Sequence, residues 1–211
     1  MGLVDLLGRI VSPPRCSSCE ADVAPRAVFC GACASTVESA RGGEGGRIAA
    51  FLYGGAIAQA VTRFKYEGRA DLARPLADLL WRAVEPHAAV HSGCIVVPVP
   101  LHPGRLAERG YNQSALLAGR IARRLACPWL PLALARSRDT PRQASLGRGE
   151  RLANVAGAFA VTPSSADRIR GARILLVDDV TTTGATLKAC ETALLGAGAR
   201  VVAWAVVARA P

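Results

Sequence analysis

Short apolar runs alternate with longer stretches in which apolar residues recur every three or four positions. Residues 48–53 (IAAFLY), 95–97, 158–161, 174–177 (ILLV) and 201–207 predict buried strands, and 130–134 is a further candidate. Between them, residues 56–64, 71–84, 112–126 and 186–195 carry helical spacing. Leu72, Leu76, Leu79, Leu80 and Ala83 share one face of the second helix, and Leu117, Ile121 and Leu125 one face of the third. Strands alternating with helices predict an α/β domain with a parallel sheet covered on both faces. Ligands of such sheets sit at the carboxyl ends of the strands.

Periodicity fails in two places. Residues 41–46 (RGGEGG) read as a flexible linker, and 136–150 as a long polar loop. The first divides the chain into a small N-terminal module, 13–40, and a main domain, 47–211; residues 3–11 read as a short amphipathic turn or helix. A length of 211 residues suits one α/β domain with a small attachment. No apolar run approaches the roughly 18 uncharged residues of a membrane span, so no membrane insertion is expected. The start carries Asp5 and no basic stretch, which gives no secretory signal and makes the cytoplasm the expected location.

Charge adds a partner class. The net charge is +10, and arginine supplies nearly all the positive charge, the lysines being Lys65 and Lys188. Residues 101–151 hold ten arginines against Glu108, Asp139 and Glu150, a net +7. Arg120, Arg123 and Arg124 fall on the outer face of the third helix; Arg138 and Arg148 fall in the polar loop. Such a concentration favours an anionic ligand or nucleic acid over a merely solvated basic surface.

The cysteines fall into two groups. Cys94, Cys127 and Cys190 stand among apolar neighbours as buried hydrophobes. Cys16, Cys19, Cys30 and Cys33 form CSSC, ten residues, then CGAC. Two CxxC pairs allow four thiolates to close a tetrahedron around a structural zinc ion. Disulfides are the competing reading, disfavoured in a cytosolic chain. The module holds few large apolar residues, so metal would supply most of its folding energy.

The densest chemistry lies at 177–186, VDDVTTTGAT. Asp178 and Asp179 end the strongest strand. Thr181, Thr182, Thr183, Gly184, Ala185 and Thr186 turn into the next helix, whose first N–H groups are unpaired and carry positive partial charge. Hydroxyls beside a glycine suit a phosphate. The two acids would repel that phosphate unless they face another part of the ligand, such as vicinal hydroxyls or a metal. A sugar phosphate meets both demands; an ordinary capped turn is the simpler alternative.

The run 175–187, LLVDDVTTTGATL, resembles the PRPP-binding motif of type I phosphoribosyltransferases at nearly every position. Residues 65–80 (KYEGRADLARPLADLL), 97–118 (VPVPLHPGRLAERGYNQSALLA) and 138–159 (RDTPRQASLGRGERLANVAGAF), with the double CxxC, resemble the ComF family, which includes GntX-like proteins and is linked to DNA uptake in natural competence. The resemblance implies a Rossmann-like type I phosphoribosyltransferase fold behind a small zinc knuckle module. It implies that Asp178 and Asp179 bind the ribose hydroxyls of PRPP and that the threonine turn takes the 5-phosphate. Val99, Pro100, Arg105 and Arg109 would lie in a pyrophosphate loop, Mg²⁺ would accompany PRPP, and 136–151 would stand where a flexible hood closes. Arg151 and Asn154 match the family's RxxN, and Lys65, Tyr66 and Gly68 its KYxG.

Two functions stay open. One is a phosphoribosyltransferase acting at C1 of PRPP with release of pyrophosphate. The other is a catalytically inactive competence factor that binds single-stranded DNA and keeps the PRPP site as a sensor or relic. Partners would be PRPP or a related sugar phosphate, single-stranded DNA and the DNA-uptake machinery.

Overall fold

The computed structural model describes residues 14–40, 46–89, 91–136 and 157–210. The expectations for residues 3–11, for most of the linker, and for Arg138, Arg148, Arg151 and Asn154 lie outside these residues. The chain runs α1 (Gly31–Ala34), β1 (Arg47–Leu52), α2 (Gly55–Tyr66), α3 (Ala73–Val84), β2 (Ile95–Pro98), α4 (Pro103–Arg109), α5 (Gln113–Leu125), β3 (Leu134–Arg136), β4 (Phe159–Val161), α6 (Ala166–Ile169), β5 (Arg173–Thr181), α7 (Ala185–Gly196) and β6 (Val201–Arg209). Four strands form a parallel sheet in the order β1-β6-β5-β2.

β5 is central, which is why Ile174, Leu175, Leu176 and Val177 are apolar without alternation: each is buried, on one face or the other. Leu175 and Val177 join Phe64, Leu76, Leu80, Leu117 and Ile121 in a core under α2, α3 and α5. Ile174 and Leu176 join Leu187, Cys190, Leu194 and Phe159 under α7. On α3 it is Val84 that is fully buried, Ala83 being half-buried.

The structure differs from the sequence reading in the middle of the chain. Of residues 130–134, expected as a strand, only Leu134 is in one: it opens β3, which pairs antiparallel with β4, Leu134 opposite Val161, in a separate two-stranded sheet. The preceding segment instead runs beside β2, where the Val96 N–H donates to Pro128 O at 2.9 Å and the Leu130 N–H to Val96 O at 3.0 Å. At the other side of the sheet, residues 38–40 lie antiparallel to β1: the Leu52 N–H donates to Glu38 O at 2.9 Å and the Ala40 N–H to Ala50 O at 3.1 Å.

The cysteine module packs directly on the main domain. Val28, Phe29 and Val37 rest against the α2–α3–α5 core. Arg63 of α2, itself buried, donates to the carbonyls of Ser17 at 3.4 Å and Ser18 at 3.2 Å, and pairs with Glu20 and with Glu67 at 3.1 Å. Ser18 donates to Gln59.

Candidate functional site

The four sulfurs of Cys16, Cys19, Cys30 and Cys33 lie within 4.8 Å of one another, with Cys19 Sγ and Cys30 Sγ 3.6 Å apart. A tetrahedron with Zn–S of about 2.3 Å needs sulfurs roughly 3.8 Å apart, so the four thiols fit a zinc ion. Burial works against a thiolate at Cys16, but backbone N–H groups, that of Cys30 at 3.4 Å among them, outweigh it and lower its pKa to about 6. Such N–H···S contacts favour the deprotonated ligand that zinc requires.

At the carboxyl end of the sheet the adjacent acids of β5 are held differently. Asp179 is 4% exposed. Its Oδ1 lies 2.7 Å from Lys65 Nζ on α2, and its Oδ2 accepts from Gln113 Nε2 on α5 at 3.3 Å. Asp178 is half-buried, and its Oδ1 accepts from Ser114 Oγ at 2.7 Å and from the Asp179 N–H at 2.9 Å. Burial, then the neighbouring Asp179, raise the Asp178 pKa to about 7, against the pull of Lys65, Ser114 and the Asp179 N–H. For Lys65 burial opposes the charge, yet the pairing with Asp179 prevails and holds its pKa above the ordinary value.

Directly beyond the acids the chain turns through Thr182 and Thr183 to Gly184, whose φ of 77° lies in the left-handed region that a glycine adopts without strain. α7 starts there without a side-chain cap from Gly184, while Thr183 Oγ1 accepts from the Ala185 N–H at 3.4 Å. Thr181 to Thr186, with Tyr53, Lys65 and Tyr66, line a cavity of about 330 Å³. Hydroxyls, helix N–H groups and an ammonium on one concave surface are the donors that a phosphate takes.

Residues 97–112 leave β2 at the same end of the sheet as the acids. The segment is not a continuous loop: α4 occupies Pro103–Arg109, started by Pro103 and by His102 Nδ1 accepting from the Gly104 N–H at 3.3 Å. The Val99 N–H donates to Val177 O at 2.9 Å and Pro100 has no N–H, so neither supplies a spare backbone donor to an anion. Arg109 stacks on the Tyr66 ring, 4.8 Å from its centroid, which brings this segment to the cavity rim. Asn112 caps α5 by accepting from the Ser114 N–H at 3.0 Å, and its Nδ2 donates to Val99 O at 3.0 Å. That double contact places Gln113 and Ser114 against the acids.

A phosphoribosyl transferase domain model matches residues 112–211, a span that opens at the Asn112 cap and takes in α5, the acid pair and the threonine turn. Competence protein F of Haemophilus influenzae is 36% identical over 130 residues, which are 60% of this chain and 56% of that protein. DNA utilization protein YhgH of Escherichia coli is 33% identical over 154 residues, 71% of this chain and 66% of that protein. Competence protein ComFC of Bacillus subtilis is 30% identical over 149 residues, 70% of this chain and 57% of that protein. The chain belongs to the ComF family. It spans between about half and two thirds of the length of these relatives.

In this ComF-family structure the candidate residues fall into three places. Asp178 and Asp179 directly precede the turn in which Thr181, Thr182, Thr183, Gly184, Ala185 and Thr186 line the cavity, and the four cysteines gather in the module that contacts Gln59 and Arg63 of α2. Arg120 and Arg123 flank a groove of about 410 Å³ beside Trp129, over α5. Arg124 is committed elsewhere, paired with Asp78 and 5.6 Å from the centroid of the Trp81 ring. Sequence reasoning placed no site role on Gln113 or Ser114 and only a weak one on Lys65. The signals were present: one of two lysines inside KYEG, and two polar residues opening an amphipathic helix in GYNQS.

Proposed function

We propose that this ComF-family protein binds PRPP at the turn 177–186 and serves DNA uptake. The observation that carries the reading is the cavity bounded by the threonine turn at the start of α7, with the half-buried Asp178 and the buried Asp179 just before that turn in β5. In this reading the 5-phosphate takes the hydroxyls of the turn and the N–H groups of α7, and sugar hydroxyls donate to the acid end of β5. Arg105 and Arg109 of α4 would take the pyrophosphate, Arg109 being held against Tyr66 of the cavity. Among the described residues the cysteine group is the one set of three or more candidate metal ligands. That fits magnesium arriving on the ligand's own phosphate and sugar oxygens, as is usual for this ion. In the transfer itself a nucleophile attacks C1, the C1–O bond to pyrophosphate breaks, and its electron pair leaves with the pyrophosphate. Bound magnesium would offset the charge on the departing group. The four cysteines hold a structural zinc ion, and the protein acts in the cytoplasm.

Calorimetric titration with PRPP and Mg²⁺ tests this. The wild-type protein is expected to bind, and Asp178→Asn to bind about tenfold to a hundredfold more weakly, the usual loss for a hydrogen bond to a charged acceptor. A wild-type protein indifferent to PRPP, or an Asp178→Asn variant that binds as tightly, removes the reading.

A second reading is favoured by the groove over α5. There Arg120 and Arg123 meet the exposed Trp129, a combination of cations and a stacking surface that suits single-stranded DNA. The names of the relatives, competence and DNA utilization proteins, point the same way. This role stands beside the PRPP site, whether or not PRPP is turned over.

A further inference from the structure

The two acids of β5 are not equivalent, and the difference turns on Lys65. Lys188, the other lysine of the chain, has a 60% exposed side chain; that of Lys65 is 20% exposed. Lys65 lines the cavity together with Thr181 to Thr186, whereas neither aspartate does. Both oxygens of Asp179 are taken from inside the protein, Oδ1 by Lys65 and Oδ2 by Gln113. Gln113 is itself 1% exposed, and its Oε1 has no partner among the described residues. A buried amide with one end unmatched indicates that its place is set by the bond its other end makes, here to Asp179.

We infer that Lys65 is a ligand-binding residue, the cationic wall of the phosphate cavity, and that Asp179 and Gln113 are positioning residues that hold its ammonium there. Recognition of sugar hydroxyls then falls to Asp178 alone. This inference rests on the reading of the cavity as a sugar-phosphate site. It resolves the conflict between two carboxylates and a phosphate at one turn, because the ammonium stands between the buried acid and the cavity. A lysine has a long flexible stem and a compact charge, and it loses its proton readily when buried alone. Asp179 counters both tendencies. An ammonium has three N–H donors; one goes to Asp179, and a phosphate oxygen in the cavity can accept another. The groups facing the pair are Tyr66 on the same helix, Gln113 and Ser114 from α5 and Asp178 on β5, with Cys190 of α7 behind Asp178.

The test is a titration with three probes, inorganic phosphate, ribose 5-phosphate, and PRPP with Mg²⁺, each on the full chain. Lys65→Met is expected to weaken all three by about tenfold or more, and Lys65→Arg to recover part of the loss. Asp178→Asn is expected to weaken the two sugar phosphates and spare inorganic phosphate. Asp179→Asn discriminates most sharply. If the acid merely repelled the phosphate, its removal would strengthen phosphate binding; as the anchor of Lys65, its removal weakens it. The double variant Lys65→Met with Asp179→Asn should bind no more weakly than Lys65→Met alone, since the two act as one unit. Should Lys65→Met melt below the assay temperature, the Asp179→Asn and Lys65→Arg proteins carry the comparison. Wild-type affinity for ribose 5-phosphate in Lys65→Met, or tighter phosphate binding by Asp179→Asn, overturns the inference and leaves the PRPP reading intact. A wild-type protein that binds none of the three probes overturns both.

Discussion

Asp178 holds its proton to about pH 7 because burial and Asp179 outweigh Lys65, Ser114 and the Asp179 N–H. The consequence for stability has a definite sign. An unfolded aspartate ionises near pH 4, so between there and about pH 7 the native state keeps a proton that the unfolded chain has released. Stability from this residue is therefore present at low pH and lost as pH rises through about 7. Between pH 5 and 8 the melting temperature of the ligand-free wild type should fall relative to Asp178→Asn by about 2–4 °C, the shift expected of a modest change in a domain of this size. Thermal melts across that range check it, and parallel curves for the two proteins would count against the assignment. At this scale the sequence displayed the two acids and the threonine row as a unit. It did not display their inequality, because Lys65 and Gln113 come from helices far away in the chain and only packing brings them to Asp179.

α2 joins the two halves of the molecule. Its first turn receives no cap from its own Gly54; Thr36 of the cysteine module supplies one, its Oγ1 accepting from the Ala56 N–H at 3.0 Å. Gly55 has φ 47°, and a Cβ there would lie 2.4 Å from Thr36 O, so the module sits on the start of the helix. Arg63 ties the other end to Ser17 and Ser18, two residues and so about half a turn from the Lys65 that lines the cavity. Metal analysis of protein prepared under reducing conditions should find about one zinc per chain. Because the module shares the main core, chelation or Cys19→Ser should lower the melting temperature of the whole chain and weaken PRPP binding. Metal-free protein with an unchanged melt would refute the zinc assignment. The CxxC spacing announced the thiol cluster, and strand–helix alternation announced the parallel sheet. The docking was illegible, since it depends on a threonine hydroxyl, a glycine backbone and a buried arginine whose partners are distant in the chain. β3 and β4 were hard to place for another reason: three-residue strands carry too little pattern to separate a small antiparallel pair from the main sheet.

Over the whole molecule the net charge of +10 favours an anionic partner, and among the described residues Arg120 and Arg123 line the α5 groove. If single-stranded DNA lies along the α5 groove, log affinity should fall linearly with log salt, by about 0.7 per neutralised phosphate. Neutralising Arg120 and Arg123 should flatten that slope more than neutralising Arg124, which is already paired with Asp78. Trp129→Ala should weaken binding with little change in slope, since stacking releases no counterions. Fluorescence anisotropy showing no DNA binding at low salt would dismiss the DNA role and leave the small-molecule reading alone. The strands that flank the main sheet constrain partners differently. An outermost strand normally presents unpaired N–H and C=O groups that a second chain can extend. Here residues 38–40 occupy that position along β1, and residues 128–130 along β2. Recruitment by strand addition is thereby blocked where these segments lie, as is the fibre-forming association that bare strands invite. A partner that docks there meets these covering segments and not β1 or β2 themselves, so its contacts can be altered by substitution in the segments without disturbing the strands of the sheet.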